Sequence, residues 1–130
     1  MKSIIILLVV VFSITSASAQ TSYSCTSRQY CDWDSVASKY ANCDAYDDNS
    51  LFEWNKDNTM FTHTISTMKS SYYVKSKEFD KDNNVWLYDV VSDVGNKYRY
   101  CFDDKSKEVR ALFQRDGKWT LLTFKVKAIF

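Results

Sequence analysis

Between Thr59 and Phe130, short runs of β-branched and aromatic residues are cut at near-regular intervals by turn residues. That pattern follows the two-residue period of strands and leaves no helix-period stretch of useful length. The last unit is the sharpest. Val109 to Val126 folds about Asp116-Gly117, a dipeptide that accepts the positive φ angles of a two-residue type I′ turn. With Arg115 opposite Lys118, Phe113 faces Thr120, Ala111 faces Leu122 and Val109 faces Phe124, so one side of this hairpin is almost wholly apolar. Trp119, Leu121 and Leu112 fall among polar residues on the other side and need cover or a partner.

The same reading extends upstream. In Thr59 to Thr67, Phe61, His63 and Ile65 share one face, and Met60, Thr62 and Thr64 share the other. A strand from Ser70 to Phe79 ends in the turn Asp80-Lys81-Asp82-Asn83-Asn84, with Tyr73 on its more exposed side. Val85 to Ser92 and Lys97 to Phe102 form a central hairpin about Gly95-Asn96. Taken as a two-residue turn, Gly95-Asn96 sets Val91 against Tyr100 and Val90 against Cys101. Trp86, Tyr88 and Val90 then lie on the Cys101 side, opposite the face of Tyr98, Tyr100 and Phe102, and both faces of the hairpin are partly apolar.

Residues 20–58 read as an attachment to this meander. Arg28 to Tyr46 is centred on Ala37 and reads as a hairpin that places Cys31 opposite Cys43 and Trp33 opposite Ala41. A short helix over Ser35 to Cys43, capped by Asp34, is the rival reading. Asp44 to Ser50 reads as an acidic loop and Ser50 to Trp54 as a brief strand. The expected architecture is one all-β domain over residues 20–130, an antiparallel meander of seven to nine strands closed or half closed into a small barrel.

Residues 1–19 have the layout of a secretory signal peptide: Lys2, an apolar run from Ile4 to Phe12, and Ala17-Ser18-Ala19 before Gln20. The run is far shorter than the ~20 residues that span a bilayer, so no transmembrane segment is expected in the mature chain. Export to the periplasm or the extracellular space permits disulfides. All four cysteines, Cys25, Cys31, Cys43 and Cys101, lie beyond the signal. The hairpin reading pairs Cys31 with Cys43 and leaves Cys25 to pair with Cys101. The helical reading instead permits Cys25 with Cys31 and Cys43 with Cys101. Zinc is disfavoured, because there is no C-x-x-C spacing and only one histidine.

Without Lys2 the chain is neutral, with 16 basic and 16 acidic residues, which argues against nucleic acid as a partner. Charge is unevenly spread. Residues 20–60 hold 7 acids and 3 bases, whereas residues 61–130 hold 9 and 13.

Little in the chain suggests catalysis. His63 is the one candidate general base, and its flanks Phe61 and Ile65 make a packed histidine the simpler account. No G-x-S-x-G, phosphate loop or H-E-x-x-H occurs, and nothing implies a cofactor. Asp80 to Asn84 opens like a calcium loop, but Val85 stands where an EF-hand needs glycine. The cluster of Asp44, Asp47, Asp48 and Glu53 is a weaker metal candidate.

Aromatic residues are the remaining resource. Trp86, Tyr88, Tyr98, Tyr100 and Tyr73, with His63, are the candidate ligand-binding residues. The hairpin-linked plan resembles that of lipocalins, although no G-x-W precedes the meander: Cys31-Asp32 stand before Trp33. Size, export signal and cysteine use are similar to those of small secreted lysozyme inhibitors. The expected function is a non-catalytic binding module for a protein partner or a small apolar ligand. A carbohydrate-binding module using surface aromatics, a secreted enzyme inhibitor and a small hydrolase using His63 are the alternatives.

Overall fold

The computed structural model describes residues 20–130; residues 1–19, the stretch read as a signal peptide, lie outside the described residues. Eight strands follow one another: β1 (Ser22–Asp34), β2 (Lys39–Trp54), β3 (Met60–Ile65), β4 (Met68–Asp80), β5 (Val85–Ser92), β6 (Lys97–Asp103), β7 (Glu108–Arg115) and β8 (Lys118–Ile129). Each pairs antiparallel with its sequence neighbours, and β1 pairs with β8 to close the barrel. No helix forms among the described residues, so none is long and apolar enough to cross a membrane.

Turn chemistry explains how a chain with two glycines and no proline makes so many reversals. Three turns share one device. Asp34, Asp80 and Asp103 each use Oδ1 to accept the backbone N–H groups two and three residues on, at 3.0–3.4 Å. The residue four positions on, Ser38, Asn84 or Lys107, then takes a positive φ of 50–56°. The aspartate supplies the acceptor that stabilises the turn, so glycine is not required at its end. Asp116 and Gly117, at φ 53° and 76°, make the two-residue turn of the last hairpin. There the observed pairs are Phe113 with Thr120, Ala111 with Leu122 and Val109 with Phe124, as the turn dipeptide dictates.

The central hairpin departs from expectation. Its loop is Ser92 to Asn96 rather than Gly95-Asn96 alone: Ser92 N–H donates to Asn96 O, Gly95 N–H to Ser92 O, and Asn96 N–H to Ser92 Oγ. Val90 therefore faces Tyr98, and Tyr88 faces Tyr100. An odd register shift turns a strand over. Tyr88 and Val90 thus join Tyr98, Tyr100 and Phe102 against the core, while Leu87 and Val91 face outward.

Upstream, the hairpin reading of β1 and β2 holds, and the short helix does not form. Asp44 to Ser50 is strand rather than loop, continuous with β2. Bulges after Cys25 and at Cys31 shift the register, so Trp33 lies opposite Tyr40 rather than Ala41. Cys31 and Cys43 are bonded. Cys25 and Cys101 are free and buried, correcting the expected second disulfide. Elimination paired them, but they lie on non-adjacent strands and opposite surfaces of the wall. Cys25 belongs to the core cluster, whereas Cys101 alternates with core residues Tyr100 and Phe102 and lies under the Arg110 guanidinium.

The barrel is filled by rings. Phe52, wholly buried, lies 5.0–6.0 Å from the ring centroids of Phe61, Tyr100, Phe102 and Phe124, mostly edge to face. Trp54 continues the network to Tyr88 and Phe102, and Phe61 stacks on Tyr72 at 5.1 Å. Each buried ring removes roughly 150–250 Å² from water. Aromatic volume thus does the work that aliphatic layers do in other small barrels.

Candidate functional site

Two places depart from a plain packed barrel. The first is inside. Because the bulge after Cys25 resets the alternation of β1, Arg28 points inward and is only 9% exposed. Its Nη1 donates to Tyr30 Oη at 3.0 Å, and Nη2 closes an ion pair with Asp48. The guanidinium lies 5.1 Å from the Phe124 ring centroid and 5.7 Å from that of Tyr46. Burial opposes the Arg28 charge, but Tyr30, Asp48 and Tyr46 more than offset it, so its pKa is raised. Arg28 Nε, Ser50 Oγ and His63 Nε2 have no hydrogen-bond partner within the protein.

His63 lies beside this pair. Its ring stacks on Phe52 at 4.0 Å and 3° and meets Phe124 edge-on at 5.0 Å. Burial, aided by the Arg28 charge, lowers its pKa from 6.5 to about 3. A general base for neutral pH needs access and a pKa near the working range. This environment supplies neither, and the Asp48 carboxylate is engaged by Arg28. Cys25, also in this region, has its thiol pushed up to about 12, chiefly by burial. It is held as a neutral thiol rather than a nucleophile.

The second place is outside. A groove of about 920 Å³ runs over β5, β6 and β7 to Trp119 on β8. Outward-facing Val91, Leu112 and Trp119 give it an apolar floor, and Val90, Tyr98 and Phe113 of the core also contribute to its lining. Arg99 is internally satisfied: Nε and Nη2 bind both Asp89 oxygens at 2.9 and 3.0 Å, and Nη1 binds Glu78 at 2.8 Å. Lys75 and Lys97, also lining the groove, make no ion pair among the described residues. The groove therefore presents an apolar floor with two uncommitted ammonium groups.

The anticipated ligand-binding residues do not converge. Tyr98 lines the groove, and Tyr73 lies just beyond it, opposite Val91 on the outer face. Tyr100 and His63 are enclosed in the core region. Tyr88 and Trp86 line a smaller space of about 330 Å³ at the opposite rim, where Tyr23 Oη donates to Asp104 Oδ1 at 2.8 Å.

Exposed Phe79 and Trp86 are inclined by 59°, and exposed Trp33 and half-buried Tyr40 by 68°. Neither pair offers the coplanar platform expected for stacking on sugars, and the near-parallel rings of Tyr30 and Tyr46 stack on each other rather than side by side. The acidic residues Asp44, Asp47, Asp48 and Glu53 are strung along β2, with Asp48 turned to Arg28.

Sequence reasoning flagged Leu112 and Trp119 as surplus apolar residues. It missed Lys75, Lys97 and the inward turn of Arg28 that gathers Asp48 and His63 around one buried charge. The bulge that turns Arg28 inward carries no glycine or proline to mark it. Comparisons of the chain with models of known families, with characterised proteins and with solved structures give no match.

Proposed function

We propose that the chain is an exported, non-catalytic binding module whose ligand lies in the outer groove over β5 to β8. The carrying observation is the groove itself, a space of about 920 Å³ floored by Val91, Leu112 and Trp119. That volume is within the ~300–1,000 Å³ common for small-molecule sites. The closed barrel's interior is occupied by aromatic rings, so a ligand carried inside, in the lipocalin manner, is not the favoured reading. With Lys75 and Lys97 beside the apolar floor, the best-suited ligand combines an apolar body with an anionic group.

Anilinonaphthalene sulfonate is a suitable probe, being an aromatic anion whose fluorescence rises in apolar surroundings. The native protein should bind it saturably, and Leu112→Ser with Trp119→Ser should weaken binding by about tenfold or more, from the ~1.5–3 kcal/mol of each buried apolar side chain. Absence of saturable binding, or equal binding by a folded double variant, would overturn the reading.

A further inference from the structure

The β1–β2 hairpin outruns its neighbours on one side. β2 pairs with β1 along most of its length, from Glu53 to Lys39. Toward β3 it pairs only from Ser50 to Trp54, because β3 and β4 turn back just beyond Ile65. From Lys39 to Asn49, β2 therefore has no second strand partner among the described residues. Its unpaired N–H and C=O groups extend for roughly 36 Å at about 3.3 Å per residue. Such edges invite another strand, and proteins commonly blunt them with lysine, proline or a bulge. Here the bulge near Cys43 with the positive φ of Asn42 interrupts the edge on one side and the register shift at Asp48–Asn49 on the other, leaving Asp44 to Asp47 as the regular part. That part contains neither lysine nor proline.

This edge is held in shape before any partner arrives. Cys31–Cys43 ties it to β1 at one end, and Arg28–Asp48 ties it near the other. Between them Tyr30 and Tyr46 stack at 6.0 Å and 23°. A preformed strand loses little conformational entropy on pairing. Its charge selects the occupant. Asp44 and Asp47 are exposed and make no ion pair among the described residues. A second copy of the chain would bring the same carboxylates against each other across a strand spacing, which is unfavourable. We infer that the Asp44–Asp47 edge of β2 adds an extended, lysine- or arginine-bearing segment of a partner protein as a further strand. This surface is separate from the groove over β5 to β8.

The test uses the capped hexapeptides Lys-Thr-Val-Lys-Thr-Val and Glu-Thr-Val-Glu-Thr-Val, and the lysine peptide with alternate amides N-methylated. Amide resonances of the whole folded protein are followed during titration at low salt. The lysine peptide should shift the 44–47 amides saturably. The glutamate peptide should bind about tenfold more weakly, because cross-strand charge pairs change sign, and N-methylation should abolish the shifts. Asp44→Asn with Asp47→Asn, both at exposed positions, should weaken the lysine peptide by several fold without changing the dispersion of the spectrum. Leu112→Ser with Trp119→Ser should leave peptide binding unchanged. Equal binding of the two charge types, shifts confined to other strands, no shift at all, or self-association through this edge would each overturn the inference.

Discussion

Replacing His63 with phenylalanine should flatten the pH dependence of stability between about pH 6.5 and pH 4.5. In the folded protein His63 is driven toward its neutral form first by burial and then by Arg28, which lowers its pKa from 6.5 to about 3. The unfolded chain therefore takes up a proton on this ring as pH falls through 6.5, while the folded chain does not until near pH 3. Stability is full above the unfolded value and declines below it, because the unfolded state binds more protons throughout that interval. The slope is about 1.4 kcal/mol per pH unit, so two units cost roughly 3 kcal/mol. Against the ~5–15 kcal/mol typical of a domain this is a large share, and the urea midpoint should fall by roughly 1–3 M.

Phenylalanine keeps the stack on Phe52 and the edge contact with Phe124 while removing the unpartnered Nε2. Should the larger ring not fit, His63→Gln removes the same titration. Asp80, Asp89 and Asp103 are held below the ordinary carboxylate value of 3.8. Their contributions are lost as pH falls below that value, largely outside the chosen window. Urea unfolding of wild type and variant across it is the assay. Equal slopes, or a His63 ring that titrates near 6.5 in the folded protein, would refute the reasoning.

Two further outcomes follow from the buried groups. Arg28→Met alone should destabilise by roughly 3–5 kcal/mol by leaving the Asp48 carboxylate unpaired, whereas Arg28→Met with Asp48→Leu should recover most of that loss in thermal melts. Native protein should expose no thiol to Ellman's reagent, and unfolding without reductant should expose Cys25 and Cys101; reducing Cys31–Cys43 should cost ~3 kcal/mol for a loop of this size.

The legible parts of the fold were those where one residue pair determined local geometry. Asp116-Gly117 set the β7–β8 register, and with it the surplus of Leu112 and Trp119 that became the groove floor. The face of Phe61 and His63 was equally readable, because β3 alternates without interruption. At β5–β6, however, the Ser92 hydroxyl accepts from Asn96 N–H and lengthens the loop, reversing the predicted face of Tyr88 and Val90. The polar composition of Asp44 to Ser50 suggested a loop, yet a strand paired on one side tolerates polar residues on both faces. Arg28 was hidden for a different reason: a bulge changes alternation without changing composition. Lys75 and Lys97 became informative only once the barrel placed them beside the same apolar floor.

The central claim is that the ligand site lies on the barrel wall rather than inside it. The most direct measurement is a resonance map of anilinonaphthalene sulfonate binding in which the indole N–H signals of Trp119 and Trp54 are both resolved. Trp119 lines the outer groove, whereas Trp54 is buried and lines the smaller space at the opposite rim. The account predicts saturable shifts of the Trp119 indole and of the Val91, Lys97 and Gln114 amides, with Trp54 unmoved. Shifts centred on Trp54, Tyr23 and Tyr88, with Trp119 silent, would contradict it.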